Sequence, residues 1–213
     1  MNNLVVIGGL GSNKNSYWKL HKNVPEGWKI WLLTPAQLMP EIDLNKASER
    51  ILNFLKANNL SKVYLLGHSL GGALAIHFTV QYPEKIEHLF LVDSEGINGR
   101  ESPVKAIGHL VKDIFLNEKR AFWERSVDLL KLMQSPLIHL QLTKISQYID
   151  LEDKCRLIKV PTVLIWGEKD LLVPVWQGKR MHKLIPYSKL EVLKGMDHHW
   201  LLHSPHLLWE HLV

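Results

Sequence analysis

The chain has 213 residues, of which 46% are hydrophobic and 22% are charged, which is typical of a folded globular protein and excludes general disorder. This length supports one well-buried core and is short for two complete domains. The net charge of +5 comes from scattered lysines and arginines without a basic block, so we expect no nucleic-acid partner.

The single cysteine, Cys155, allows no intrachain disulfide, which is typical of a reducing compartment. The N-terminus has neither the basic leader nor the long apolar core of a secretory signal. No run approaches the roughly 20 apolar residues that a membrane span requires. We therefore expect a cytoplasmic protein without a membrane span, and its oligomeric state stays open.

Short apolar runs alternate with longer amphipathic stretches along the chain. The predicted strands are 4–7, 30–33, 63–66, 89–92, 163–166 and 190–193. The predicted helices between and after them are 42–57, 70–82, 175–185 and 205–212. This alternation predicts an α/β fold, with a mostly parallel central sheet of about six strands and helices on both faces.

The alternation stops between residues 97 and 158, where apolar residues recur at helical spacing and no convincing strand is found. We expect this segment to be a helical cap, or lid, inserted between two strands of the sheet. The core would then comprise residues 1–96 and 159–213, with the cap at 97–158. Loops at the carboxyl ends of parallel strands form the binding sites of such folds, so the cap would cover the site.

The strongest motif is G-x-S-x-G, formed by Gly67, Ser69 and Gly71. It follows a predicted strand and opens a helix of small residues. In this arrangement the serine occupies a sharp turn that exposes its hydroxyl above the sheet edge, while the glycines permit close backbone approach. The pattern is short enough to occur by chance, and the strand and helix around it make it specific.

At this motif the sequence resembles the α/β-hydrolase superfamily, and the resemblance extends over most of the chain. It implies that Ser69 is a nucleophile. Residues 161–170 resemble the family strand that ends in G-x-x-D, which implies that Asp170 is the catalytic acid; Glu168 is the nearby alternative. The carboxylate would fix the tautomer of a catalytic histidine.

The segment that begins at Gly195 resembles the family segment that carries the catalytic histidine. Its spacing from Gly195 and from Pro205 selects His198, with His199 as the alternative. The order serine, aspartate, histidine is that of the family. With an ordinary pKa near 6.5, this base would lose activity as the pH falls below about 6.5.

The resemblance also implies an oxyanion hole and a substrate site. Residues 5–11 are similar to the family segment H-G-x-G, so the backbone N–H groups of Leu10 and Leu70 would bind the oxyanion. The family histidine is replaced by Gly8, which leaves the hydrogen bonding of this loop undetermined. We expect Gly9, His68, Trp200 and Trp123 to line the substrate site.

These residues predict a carboxylesterase-like serine hydrolase that forms an acyl-enzyme and needs neither a cofactor nor a metal ion. The expected partner is a small-molecule acyl substrate, and the apolar face of the predicted cap favours an apolar moiety. The same catalytic residues would also suit a thioesterase, a C–C bond hydrolase or a lyase. The alternative of another class is an inactive, hydrolase-like binding protein.

Overall fold

The computed structural model of the protein describes residues 1–13, 15–41, 43–98 and 149–212. Its centre is a six-stranded sheet in which every strand pair is parallel, in the order β2-β1-β3-β4-β5-β6. The strands are β1 (Asn2–Ile7), β2 (Trp28–Leu33), β3 (Val63–His68), β4 (Ile86–Val92), β5 (Thr162–Gly167) and β6 (Ser188–Leu193). The predicted fold class and all six predicted strands are confirmed.

Helices lie on both faces of the sheet. They are α1 (Trp18–Lys22), α2 (Pro35–Leu38), α3 (Leu44–Ala57), α4 (Leu70–Gln81), α5 (Glu152–Leu157), α6 (Val175–Leu184), α7 (Trp200–His203) and α8 (His206–Trp209). The helix predicted over 205–212 is shorter than expected and consists of the single turn α8. A separate turn, α7, precedes it, and Ser204 and Pro205 lie between the two. No helix among the described residues is long and apolar enough to cross a membrane.

The strands build two core layers because successive side chains of a strand point to opposite faces. Val5 and Leu65 belong to the layer that packs under α3, α4, α5 and α6. Val6 and Leu66 belong to the layer on the other face, which also contains Trp200. Both layers are closed by residues with little or no exposure, so the sheet is a rigid support for the loops at its carboxyl edge.

The central helix α4 is apolar on all sides, and ten of its twelve residues are buried. A helix of this kind belongs in a core rather than on a surface. Its N-terminal end starts directly after β3, so packing of α4 against the sheet fixes the position of the residue between them. That residue is Ser69.

Most of the predicted cap, at 99–148, lies outside the described residues. Within the end of that predicted segment, α5 packs against α4 and α6. Cys155 and Ile158 there are buried in the main core layer.

Candidate active site

Ser69 lies in a strained turn between β3 and α4. Its φ of 56° and ψ of −125° are unusual for a residue with a side chain, and such backbone costs about 1–3 kcal/mol. The surrounding backbone holds this turn, because Ser69 N–H donates to the Val92 carbonyl at 3.1 Å. The Ser69 carbonyl accepts from the N–H groups of Gly72 at 2.8 Å and Glu95 at 3.0 Å.

The glycines around Ser69 are required by the packing of this turn. A Cβ at Gly71 would collide with the carbonyl oxygens of Ile7 and Gly8, at the end of β1. A Cβ at Gly67 would lie 2.8 Å from the Cβ of Ala75, in the following helix. The G-x-S-x-G pattern therefore has a steric cause here: the first turn of α4 passes against the backbone of both β3 and β1.

The structure brings together Asp170 and His198, which come from the loops after β5 and β6. The Asp170 Oδ2 atom is 2.7 Å from His198 Nδ1. The other oxygen, Oδ1, accepts the backbone N–H groups of Leu172 and Val173, each at 2.8 Å. These three contacts fix the carboxylate and present the other ring nitrogen of His198, Nε2, as the available base.

Electrostatics around His198 favour its protonated form. Complete burial alone would lower the pKa of the imidazole, but the charge and hydrogen bond of Asp170, together with Asp93 and Glu95, outweigh burial and raise it to about 9. The sequence prediction used the ordinary value near 6.5, since it could not include a buried carboxylate at 2.7 Å. A reaction that needs neutral His198 should therefore lose rate at a higher pH than it would with an ordinary histidine.

The structure distinguishes Asp170 and His198 from the two alternatives in the sequence, Glu168 and His199. Glu168 Oε2 accepts the N–H of Gly195 at 2.8 Å, so this carboxylate braces the loop that precedes His198. The His199 ring packs edge-on against the His198 ring, with 5.2 Å between the centroids. Of the two histidines, His198 is the one whose Nδ1 contacts Asp170.

The loop after β1 lies against the turn at Ser69, as expected for an oxyanion loop. A Cβ built on Gly9 would be 3.1 Å from Ser69 Cβ, so the loop passes tightly against the Ser69 side chain. Leu70 is fully buried at the start of α4, and Leu10 is half-buried in the loop. Among the described residues, neither Leu10 nor Leu70 donates its backbone N–H to a partner, so both donors remain available.

Ser12 and Tyr17 together account for the glycine at position 8. A Cβ at Gly8 would collide with Ser12 Oγ and would lie 2.9 Å from Cε2 of the Tyr17 ring, so these two side chains fill the space beside the loop. The buried Tyr17 hydroxyl accepts the N–H of Gly9 at 3.1 Å and lies 2.7 Å from His68 Nδ1. Sequence reasoning missed Tyr17, because the loop before it carries no motif that predicts this contact.

His68 is buried and held on both sides by hydrogen bonds, and its expected role as a substrate contact stays a prediction. Its Nε2 is 3.0 Å from the His198 carbonyl, and a carbonyl only accepts, so Nε2 carries the proton. Burial, followed by the charge of His198, holds the pKa of His68 well below its usual value. The ring is thus neutral, and its Nδ1 accepts from the Tyr17 hydroxyl.

The two tryptophans predicted to line the substrate site stay predictions. Trp200 has no exposed surface and packs in the second core layer. It directly follows the catalytic-histidine segment in sequence, but α7 turns its ring inward. Trp123 lies outside the described residues.

Asp93 is a buried acid that sequence reasoning did not select. It follows β4 directly and has a positive φ of 43°. Its Oδ1 accepts the N–H of Gly167 at 2.8 Å. The signal was present in the sequence, because an acid directly after the strand next to β3 must reach the same sheet edge as Ser69.

One atom each of His68, Asp93 and His198 lie within 4.8 Å of one another, which is close enough to consider a metal ion. Both nitrogens of His68 are already hydrogen-bonded, and Nδ1 of His198 is held by Asp170. Asp93 Oδ1 likewise accepts the Gly167 N–H, so most of the atoms that could hold an ion already have protein partners. Such a site can move a proton between serine and histidine while an acid orients the imidazole.

Comparison with known proteins agrees with this geometry. Residues 2–143 match the family described as "alpha/beta hydrolase fold". The chain is 24% identical to Lipase 1 of Psychrobacter immobilis, over 92% of this chain and 70% of the lipase. It is 25% identical to the 2-hydroxy-6-oxononadienedioate/2-hydroxy-6-oxononatrienedioate hydrolase of Escherichia coli, over 98% of this chain and 82% of that enzyme.

Among solved structures, a lipase-esterase related protein from Clostridium acetobutylicum has a TM-score of 0.77 at 16% identity. The match covers 99% of this chain and 93% of that one, so the two share a fold. The family match spans β1 and the loop after it, the turn at Ser69, and the strand that precedes Asp93. On this evidence the chain belongs to the α/β-hydrolase family.

Proposed function

We propose that the protein is a serine hydrolase that cleaves carboxylic esters through an acyl-enzyme, with Ser69 as nucleophile, His198 as base and Asp170 as acid. The observation that carries the proposal is the 2.7 Å contact between Asp170 and His198, at the same sheet edge as a serine in a strained turn. Strained backbone of this kind persists only where the surrounding structure imposes it, and it recurs at functional sites.

The reaction begins when Nε2 of neutral His198 accepts the proton of the Ser69 hydroxyl as Oγ attacks the acyl carbonyl. The N–H groups of Leu10 and Leu70 stabilise the negative oxygen of the tetrahedral intermediate, and one such donor is worth about 3 kcal/mol. The carbon–oxygen bond of the ester breaks, and the alcohol leaves with the proton from His198.

In the second half of the cycle, His198 accepts a proton from water as the water oxygen attacks the acyl-enzyme. The second intermediate collapses, Ser69 recovers its proton from His198, and the carboxylic acid is released. The Asp170 carboxylate stabilises the imidazolium in both halves. The expected substrate is a small acyl ester with an apolar moiety, in keeping with the lipase among the relatives.

A fluorophosphonate probe tests the nucleophile directly, because it reacts only with an activated serine. We expect the native protein to be labelled and Ser69→Ala to be unlabelled. The matched control is Ser48→Ala, since Ser48 is a buried serine in α3, which supplies no residue of the proposed site. Equal labelling of native protein and Ser69→Ala, or none of either, would reject the proposal and favour a binding protein.

Hydrolysis of carbon–carbon bonds is the second candidate, because the Escherichia coli relative named for that chemistry covers 98% of this chain. A panel of acyl esters, acyl thioesters and ring-cleavage ketones separates the candidates. We expect the highest kcat/KM with esters that have an apolar acyl group. A ketone turned over at least tenfold more efficiently than every ester would transfer the proposal to carbon–carbon cleavage.

A further inference from the structure

We infer that Asp197 is a positioning residue for His198. Its carboxylate holds the peptide group that follows His198 and thereby sets the direction in which the imidazole meets Asp170. The inference rests on the proposed function, since it concerns the base of that reaction. Asp197 acts through the backbone of residues 194–199, the base loop, and is not a catalytic residue.

The peptide group between His198 and His199 is held from two sides. Its carbonyl accepts the Nε2 proton of His68 at 3.0 Å. Its N–H donates to Oδ1 of Asp197 at 2.9 Å. Because a peptide group is planar, these two hydrogen bonds together fix its orientation and with it the backbone ψ of His198. The side chain before His198 therefore controls the backbone that follows it.

The first half of the base loop is tied to the loop after β5. The Met196 carbonyl accepts the N–H of Lys169 at 2.8 Å. The Glu168 carboxylate accepts the N–H of Gly195 at 2.8 Å. The second half of the base loop carries the base, and there the corresponding side-chain hydrogen bond comes from Asp197.

Asp197 is itself held in place by α7. Burial alone would raise the pKa of Asp197, but the hydrogen bonds from His203 and from the His199 N–H outweigh it and lower the pKa to about 2. The side chain is therefore a carboxylate throughout the neutral pH range. Its Oδ1 is 3.1 Å from Nε2 of His203, and a carboxylate only accepts, so this Nε2 carries the proton.

The hydrogen bond, rather than the charge of Asp197, is the basis of this role. Burial lowers the pKa of His198, and among the described residues three acids counter it: Asp170, Asp93 and Glu95. Asp197 is not one of them, although it is adjacent in sequence. An asparagine at position 197 has no charge but keeps the acceptor oxygen, so it separates the two roles.

The test compares Asp197→Ala, which removes the acceptor, with Asp197→Asn, which keeps it. The measurements are kcat and KM for an apolar ester, and the pKa of His198 followed by NMR over a pH titration. Urea unfolding measures the stability of each variant. The matched control is Asp43→Ala: Asp43 Oδ1 accepts the N–H of Asn45, also two residues on, and caps α3, which supplies no residue of the proposed site.

We expect kcat of Asp197→Ala to fall by about 10- to 100-fold with KM within about threefold of native protein, because the base is displaced. The pKa of His198 should fall from about 9 toward its ordinary value near 6.5, since a displaced imidazole loses its hydrogen bond to Asp170 while it stays buried. Asp197→Asn should keep the native pKa and a kcat within about threefold of native, because it retains the acceptor. Asp43→Ala should lose stability only.

His203→Ala is the second variant if alanine at position 197 prevents folding. It removes the contact with α7 but leaves the His199 N–H as a donor to the carboxylate. His203 is 43% exposed, so this contact is partly screened, and kcat should fall by only about three- to tenfold. His203→Gln should restore native kcat, because its amide N–H can donate to the same carboxylate.

Equal losses in Asp197→Asn and Asp197→Ala would overturn the inference in favour of a charge effect. It is also overturned if Asp197→Ala loses stability but keeps the native kcat and the native pKa of His198, or if Asp43→Ala has the same effect on both. Should Asp197→Ala fail to fold, native kcat in His203→Ala overturns it. A native protein that the fluorophosphonate does not label would instead reject the proposed function, while the NMR titration needs no substrate and still tests the role of Asp197.

Discussion

Tyr17→Phe removes one buried hydroxyl and leaves the aromatic ring in place. In the native protein this hydroxyl accepts the N–H of Gly9 at 3.1 Å and donates to Nδ1 of His68, 2.7 Å away. The substitution leaves a buried donor and a buried acceptor without partners, and each costs about 1–3 kcal/mol. We therefore expect the free energy of unfolding to fall by about 2–4 kcal/mol, a large share of the about 5–15 kcal/mol typical of a domain.

Urea unfolding followed by circular dichroism measures this loss as a shift of the midpoint at constant slope. The matched control is Tyr64→Phe, since the Tyr64 ring stacks on His88 and its hydroxyl has no hydrogen bond to the residues that the structure describes. Ester hydrolysis should also slow by about tenfold in Tyr17→Phe, because the oxyanion loop loses its anchor. A loss below about 0.5 kcal/mol, equal to that of the control, would refute the assigned hydrogen bonds.

The remaining predictions concern pH, steric fit and backbone strain. The pKa of His198 is raised to about 9, and only its neutral form is a base, so kcat/KM for an ester should fall by about 100-fold from pH 8 to pH 6. An ordinary histidine would give a fall of about fourfold over the same range. Initial rates measured as a function of pH distinguish the two. Gly71→Ala should lose about 3 kcal/mol of stability by urea unfolding, because the added Cβ collides with backbone atoms. The control Gly27→Ala should lose about 1 kcal/mol, because Gly27 has a positive φ but open space around it. Equal losses in the two variants would contradict the packing at Gly71. Ser69→Gly should abolish labelling yet be about 1–2 kcal/mol more stable than Ser69→Ala, and a less stable glycine variant would show that the turn is unstrained.

The sheet could be predicted from the sequence because its strands are short apolar runs separated by amphipathic stretches. The motif around Ser69 was equally readable, since sterics dictate its glycines. Asp170 and His198 were implied by the resemblance of two segments to those of the family, and the structure places their side chains in contact. These features are local, so a single sequence carries them.

Contacts between distant segments could not be predicted in the same way. Tyr17 fills space beside Gly8 only because a loop folds back on itself, and no periodicity signals that return. The position of Trp200 next to the histidines likewise does not show that its ring is fully buried in the second core layer. Asp93 was overlooked because the family pattern directed attention to the acid after β5.

The hydrogen bonds that run from Gly9 through Tyr17 and His68 to the His198 carbonyl join three segments that are far apart in sequence, at 9–17, 68 and 198. They connect the loop of the proposed oxyanion donor with the loop of the proposed base. Substitutions at the two ends should therefore be strongly non-additive, since the first one to break the connection already releases both loops. Tuning one half of the site by mutation would thus alter the other half as well.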